Sequence, residues 1–379
     1  MESNQKTFKA AKKNHPGLWR KSIKQEDLFS SPYLYGGMPF KFIDLFSGIG
    51  GFRSGLVPIG GECVYSSEWD NKAVETYSEW YQDKNVDSRD IREIDYSEIP
   101  DHDILCGGFP CQPFSLAGVS KKTSMGVKHG FDDEKQGNLF YSIMDAVEVK
   151  RPSVVFLENV KNLKSHDEGR TWQVIQASLR EAGYHVFDLI IDAQGWVPQH
   201  RERIFIVCFN KEVFGENSEA LSFRFPTLPE SRISLTEVLE EDPDKKYMLT
   251  DNLWKYLQDY KKKHSEAGHG FGYGIIEHED RDQAVTRTLS ARYHKDGSEV
   301  LIREPGWKNP RRLTPKEAML LQGFNSEIAS TFGHKSGFPQ IVSDTAAYKQ
   351  FGNAVVPAVI QAIGEKILSA LIIQKYLIS

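Results

Sequence analysis

Phe42-Ile-Asp-Leu-Phe-Ser-Gly-Ile-Gly-Gly-Phe52 is the stretch that decides the fold. Its apolar start, residues 42–46, reads as a strand that feeds straight into a glycine turn. Gly48, Gly50 and Gly51 let the backbone turn sharply and approach a ligand closely. The next apolar run, residues 63–67, ends at Glu68, 20 residues after Gly48. A carboxylate there is placed to accept hydrogen bonds from the ribose hydroxyls of an adenosyl group. A dehydrogenase uses a similar loop. Here, however, the spacing is G-x-G-G-x-R, with Arg53 where the dinucleotide fingerprint requires a third glycine. No pyrophosphate cradle is implied, and a nucleoside cofactor without phosphates fits better. Trp69 has two readings, a stacking surface for adenine or a core tryptophan.

Working outward, further apolar runs at 103–106, 154–157, 186–191 and 204–209 read as strands. Helical periodicity fills the gaps between them. Asp70 is a good N-cap for a helix whose apolar residues are Ala73, Val74, Tyr77, Trp80 and Tyr81. Leu139, Phe140, Ile143, Met144 and Val147 form a second stripe. Trp172, Ile175, Leu179 and Ala182 form a third. Such alternation predicts an α/β fold, with a mostly parallel sheet covered on both faces. From residue 211 to about 310 the alternation stops, which predicts a second, smaller domain with little regular structure. Residues 354–376 are helical again, with Val356, Ile360, Ile363, Ile367 and Leu371 on one face, and are expected to pack back on the first domain. The organisation expected is a basic N-terminal extension (1–40), a catalytic and cofactor-binding domain (41–210), an irregular domain (211–340) and a returning C-terminal segment (341–379).

Composition narrows the function. The 379 residues are 40% apolar, enough for a sizeable core. No apolar run is read as membrane-spanning, and Met1 to Lys13 lacks the pattern of a secretory signal, so a cytoplasmic location is expected. The four cysteines, Cys63, Cys106, Cys111 and Cys208, form no CxxC, which argues against zinc or any other metal site. Cys63, Cys106 and Cys208 fit small buried hydrophobes. A net charge of −5 counts mildly against nucleic-acid binding. Local clusters matter more, because phosphates are met by one face only. Lys9/Lys12/Lys13, Lys121-Lys122, Lys261 to Lys263 and Arg311-Arg312 are such clusters, or are solvated surface.

Gly107-Gly-Phe-Pro-Cys-Gln-Pro-Phe-Ser115 follows a strand directly. Two prolines bracket Cys111 in a rigid turn at a strand's C-terminal end, where open α/β sheets build their sites. A structural cysteine needs none of this rigidity. Glu158 ends another apolar run, so its neighbours partly desolvate it and raise its pKa. That is a general-acid setting, although a surface carboxylate after a strand reads equally well from spacing alone. Arg201 and Arg203 precede the run 204–209. They are read as alternating sides, one toward the site and one toward the sheet or phosphates.

Taken together, these motifs resemble the cytosine carbon-5 DNA methyltransferases. The match spans about residues 41–366 with the motifs in the family's order. They are Phe46-Ser-Gly-Ile-Gly50, Glu68-Trp69, Pro110-Cys-Gln112, Glu158-Asn-Val160, Gln199-His-Arg-Glu-Arg203, Arg312-Leu-Thr-Pro-Lys-Glu317 leading to Leu321-Gln-Gly-Phe324, and Gln350-Phe-Gly-Asn-Ala-Val355. Each alone is weak, but seven in order are highly specific. The irregular domain then corresponds to the family's target-recognition domain. Two stretches, 268–274 and 286–299, look like the Dcm group of prokaryotic modification enzymes, which reads CCWGG, CCNGG or CCGG palindromes.

The resemblance implies a Rossmann-like methyltransferase domain using S-adenosyl-L-methionine on double-stranded DNA. Catalysis would fall to Cys111, Glu158, Arg203 and Arg201. The cofactor would be held by Phe46, Gly48, Ile49, Gly51, Glu68, Trp69, Asp90, Ile91, Pro110, Leu139, Asn353 and Val355. DNA would meet Ser115, Gln199, Arg201, Gly272, Tyr273, Arg287, Arg292, Tyr293 and Lys295. A monomer is expected, with a restriction endonuclease as a separately acting partner. In the implied mechanism the Cys111 thiolate attacks carbon 6 of a flipped cytosine while Glu158 protonates ring nitrogen 3. Arg203 holds the carbonyl oxygen, carbon 5 accepts the methyl group, and loss of its proton frees the cysteine. Two departures stand out. The loop through 121–136 is longer and more basic than usual, and Ala354 replaces a frequent serine. Rival readings are a transfer-RNA cytosine methyltransferase, a non-catalytic DNA-binding regulator and, more distantly, a nicotinamide dehydrogenase.

Overall fold

The computed structural model describes residues 40–110, 139–216, 221, 223–230, 232–266 and 272–378. Cys111, Ser115, the 121–136 loop and residues 1–39 of the N-terminal extension lie outside the described residues. Six strands form the main sheet: β1 (Phe40–Leu45), β2 (Gly61–Ser67), β3 (Ile104–Gly108), β4 (Val154–Val160), β5 (Tyr184–Asp192) and β6 (Glu202–Asn210). Their spatial order is β2-β1-β3-β4-β6-β5. β1 to β4 pair in parallel, while β6 runs antiparallel to both β4 and β5. The reversal has a simple cause. Parallel neighbours need a crossover of a dozen or more residues, and only residues 193–201 join β5 to β6.

The strands read as apolar runs because both faces of the sheet are covered. On one face Phe42, Cys106, Phe156, Val207 and Phe209 pack with helix α1 (Gly51–Leu56) and with Ile360, Ile363 and Ile367 of the C-terminal helix. On the other, Ile43, Leu105, Val155 and Ile206 pack with α3 (Leu139–Lys150) and α4 (Arg170–Glu181). Between β2 and β3 runs α2 (Asn71–Tyr81), capped as expected by the Asp70 side chain, which accepts from the Lys72 and Ala73 amides. Cys106 and Cys208 are buried and Cys63 half-buried, all three as free thiols.

Beyond β6 little of residues 211–310 is regular, as expected, with one exception. Helix α5 (Asp251–Glu266) runs for 16 residues. Leu253, Trp254, Leu257 and Tyr260 share one face of it, a stripe at helical spacing of which Leu257 alone is fully buried. A second sheet joins the two-residue strands β7 (Ile275–Ile276), β8 (Leu301–Ile302) and β9 (Arg311–Arg312). Helices α6 (Pro315–Leu321), α7 (Ser326–Thr331) and α8 (Asp344–Asn353) follow. They share a third core with α2, centred on Trp80, which stacks on Phe338 at 4.3 Å and contacts Phe324 and Phe351.

The last helix, α9 (Pro357–Ile378), starts at a proline, suited to a first helical turn. It packs back against α1 and the sheet, as the sequence predicts. One reading changes here. The stretch Asp344–Leu371 is long and apolar enough, by composition, to cross a membrane. Two-thirds (67%) of its apolar 18-residue window is buried inside the protein, as in the core helix of a soluble protein.

Candidate active site

A cavity of about 630 Å³ opens over the C-terminal ends of β1 to β4, between the sheet and the α8–α9 junction. Its size suits a small-molecule cofactor. The loop after β1 makes one wall. Phe46, Gly48 and Gly50 all have positive φ (58°, 54° and 79°). For Phe46 that conformation is costly and marks a functional turn that composition does not reveal. Gly51 is required for packing. A Cβ there would sit 2.4 Å from Val355 Cγ2 and 2.8 Å from the Val355 carbonyl oxygen. The loop is thereby pressed against the segment carrying Asn353 and Val355, and Ile49 completes this wall.

Glu68, at the end of β2, fixes the loop from beneath. Its carboxylate accepts from the Gly48 amide at 2.9 Å and the Asp70 amide at 2.8 Å. Burial pushes its pKa up, opposed by those two amides. Trp69 is 72% exposed and lines the cavity. The core-tryptophan reading is therefore wrong, and a free aromatic face is presented instead. Asp90 is held low, at about 2, by its pair with Arg92. It lines the cavity, as do Ile91, Pro110 and Leu139. All twelve residues expected at a cofactor thus line one cavity. Three further features escaped the sequence reading. Lys349 and Asp70, both lining residues, pair at 2.7 Å. The buried Ser47 hydroxyl, also in the wall, has no hydrogen-bond partner among the described residues. Asn159 donates to the Phe109 carbonyl at 2.8 Å and so holds the turn entering Pro110.

Glu158, at the end of β4, forms part of the wall and is 7% exposed. Burial raises its pKa, opposed by Arg203 and then Arg201. Arg203 Nε lies 3.0 Å from its carboxylate. The surface-carboxylate alternative for Glu158 is thereby removed. Arg201 does not reach the cavity. Residues two apart on a strand share a face, but Arg201 precedes β6, and the chain turns it inward. It is 2% exposed, and its guanidinium donates to the carbonyls of Leu289, Gly352 and Ala354. Burial pulls its pKa down to about 9, helped by Arg203.

The residues expected at DNA divide sharply. Arg287, Arg292 and Lys295 are exposed. Gly272 and Tyr273 are half-buried. Gly272 accepts from Arg287, and Tyr273 packs on Trp254 under the Lys261 ammonium, 4.4 Å from its ring. Three expectations fail: Arg201, already placed in the interior, Gln199 and Tyr293. Gln199 and Tyr293 are 0% exposed. Gln199 is used up on Leu289, Leu321 and Gln322. Tyr293 bridges the Val300 carbonyl and the Leu313 amide. Burial of a polar side chain with all its bonds made inside the protein leaves nothing for a base or phosphate.

A parallel sheet with one reversed strand, a glycine loop after β1 and a carboxylate after β2 facing a nucleoside-sized cavity define the class: an α/β methyltransferase. The model for C-5 cytosine-specific DNA methylases matches residues 40–369. A DNA-cytosine methyltransferase of Escherichia coli K12 is 44% identical over 370 residues, covering 86% of this chain and 77% of the relative. The type II methyltransferase M.NlaX of Neisseria lactamica is 46% identical over 336 residues, covering 88% and 97%. Among solved structures, a methyltransferase of Entamoeba histolytica superposes with TM-score 0.64 at 20% identity, over 88% of this chain and 99% of that one, a likeness of fold. The chain belongs to the C-5 cytosine-specific DNA methylase family and is an S-adenosyl-L-methionine-dependent DNA (cytosine-5-)-methyltransferase.

Proposed function

We propose that the chain flips one cytosine out of a short palindromic duplex site of the CCWGG, CCNGG or CCGG type and methylates carbon 5 through a covalent adduct at Cys111. The observation that carries this reading is the buried Glu158 carboxylate, 3.0 Å from Arg203 in the wall that also holds Pro110. A carboxyl with raised pKa is suited to donate a proton to ring nitrogen 3 as the Cys111 thiolate adds to carbon 6. Arg203, which pairs with Glu158 and lines the same cavity, would stabilise charge on the carbonyl oxygen of that ring. The residues of the cavity fit the cofactor: Trp69 offers a face for adenine, Glu68 a carboxylate for ribose, and Ser47 a hydroxyl unpaired among the described residues. S-adenosyl-L-methionine, bound there, supplies the methyl group as a sulfonium. Phe46, Asp90, Ile91, Asn353 and Val355 would hold it in place.

Exposed Arg287, Arg292 and Lys295 would meet the duplex. The cost of flipping, about a few kcal/mol, must be recovered from such contacts. The relatives named type II methyltransferases support a role in modification beside a separately acting endonuclease. The chain would act in the cytoplasm as a monomer. Bisulfite sequencing of DNA from cells expressing the chain reads target and modified base together. A preferred palindrome containing CC is the expected result, and methylation without sequence preference would sink it. A duplex carrying 5-fluorocytosine at that target should give a denaturation-resistant adduct, abolished by Cys111→Ser. Turnover at the normal rate by Cys111→Ser would refute the covalent route.

A further inference from the structure

Arg201 is a fully buried cation with no carboxylate on its guanidinium, and everything it holds is main chain. Nη1 donates to the Leu289 carbonyl at 3.0 Å. Nη2 donates to the carbonyls of Gly352 at 2.9 Å and Ala354 at 2.7 Å. Two residues earlier, Gln199 takes the other polar group of the same residue: its Oε1 accepts from the Leu289 amide at 2.9 Å. Gln199 Nε2 donates to the Leu321 carbonyl, and the neighbouring Gln322 side chain donates to the Ala354 carbonyl at 2.8 Å. A short bridge between Gln199 and Thr286 continues the grip through backbone. A separate observation points the same way. A Cβ on Gly352 would lie 2.3 Å from the Ala291 amide nitrogen and 2.4 Å from the Ser290 carbonyl oxygen. The α8 terminus is therefore pressed backbone to backbone against the segment bearing Arg287, Arg292 and Lys295.

We propose that Gln199 and Arg201 are specificity-positioning residues, which touch neither base nor phosphate but fix the register of the recognition segment 286–299 against the cofactor cavity. The inference rests on the reading that this segment meets DNA. Leu289 is clamped at both its amide and its carbonyl, so the segment cannot slide along its axis. The same guanidinium clamps Gly352 and Ala354 on either side of Asn353, a lining residue. A shift of the reading side chains relative to the cytosine pocket thus requires breaking buried, charge-assisted bonds.

The test methylates a pool of random-sequence duplexes with the full chain and reads it by bisulfite sequencing. The fidelity ratio is methylation at the chain's own preferred site over sites differing by one base pair. Gln199→Leu and Gly352→Ala should each lower that ratio by about tenfold, the equivalent of one discriminated base pair. Arg201→Met should do the same and also raise the cofactor KM by about tenfold, because it alone releases Gly352 and Ala354 together. Arg201→Lys, which keeps a cation that reaches fewer carbonyls, should recover part of both effects. Gly352→Ala lies on another element, so misfolding of one variant leaves the other as a test. Arg287→Ala is the reference. If it lowers the ratio while the tie variants lose only rate and melting temperature, the positioning role is overturned. If Arg287→Ala leaves the ratio unchanged, the recognition reading falls first and takes this inference with it.

Discussion

Two carboxylates of the main sheet, on β1 and on β4 with β3 between them, sit in different circumstances, and the difference is visible one residue at a time. Glu158 is buried against Arg203 and faces the cavity, whereas Asp44 is buried with neither oxygen hydrogen-bonded to a side chain. With Glu158 as the proton donor, kcat should fall as pH rises through an inflection above the ordinary carboxylate range, the direction in which burial moves it. Glu158→Gln should lose that inflection and lower kcat by about 10²–10⁴-fold with duplex affinity retained. An unchanged pH–rate profile in the variant would reassign the acid. Asp44 reports on stability instead. Burial pushes its pKa from 3.8 to about 8, opposed by Arg53. The folded chain therefore holds a proton that the unfolded chain releases, and stability is lost as pH climbs from about 4 to about 8. Thermal melts of Asp44→Asn and the parent should diverge in the variant's favour across that window and run parallel above it. A gap independent of pH would mean that Asp44 is charged in the fold. Glu158 was legible in the sequence, because an acid closing an apolar run predicts desolvation. Asp44 lies within the opening motif and was passed over, because a single acid inside a strand gives no sign of which way it faces.

At the scale of elements, the sheet was largely legible and the helices less evenly so. Doubly covered strands announce themselves as apolar runs, and all six are found, each extended by one or more residues. Helix α2 carries both a cap and a stripe and was equally plain. Helix α5 was missed although Leu253, Trp254, Leu257 and Tyr260 make a stripe, because that stripe is set among charged residues and a single leucine in it is fully buried. Arg201 and Gln199 were misassigned because their partners lie on distant parts of the chain: Leu289 is 88 residues from Arg201, and Ala354 is 153. Tyr293 was misassigned although its partners Val300 and Leu313 are close in sequence. Motif spacing shows that such residues are needed but not which way they point. The packing of α1 on the α8–α9 junction makes its own prediction. Gly51→Ala forces a methyl into Val355, an overpacking that costs about 1–3 kcal/mol. Spent on the loop that Glu68 holds, it should weaken cofactor binding by about tenfold, measurable by calorimetry with S-adenosylhomocysteine. Unaltered affinity would show that the loop moves away without loss.

For the whole molecule, the question is what keeps the small sheet, α6 and the Trp80 core in one piece when so little of that half is regular. Arg311, 0% exposed, is the hub. It meets Glu317 twice, at 2.6 and 2.8 Å, and Glu304 at 2.7 Å, while Arg281 meets Glu304 from the other side. Glu317 also accepts from the Thr314 amide as the return half of a capping box, and from the Glu240 amide at 2.9 Å. One carboxylate thus joins β9, α6 and the segment before α5. Its net worth against an apolar replacement is small, because desolvation offsets attraction, but removing Glu317 leaves the buried Arg311 with Glu304 as its single remaining carboxylate and its Nη2 without that bond. Glu317→Ala should therefore lower stability by about 3–5 kcal/mol, whereas Arg311→Met combined with Glu317→Leu should recover much of that loss. Urea unfolding followed by tryptophan fluorescence separates the two cases, because Trp80 sits in the core that α6 closes. A double variant no more stable than Glu317→Ala alone would show that the two lost amide bonds of Glu317, and not the half-compensated charge of Arg311, set the cost.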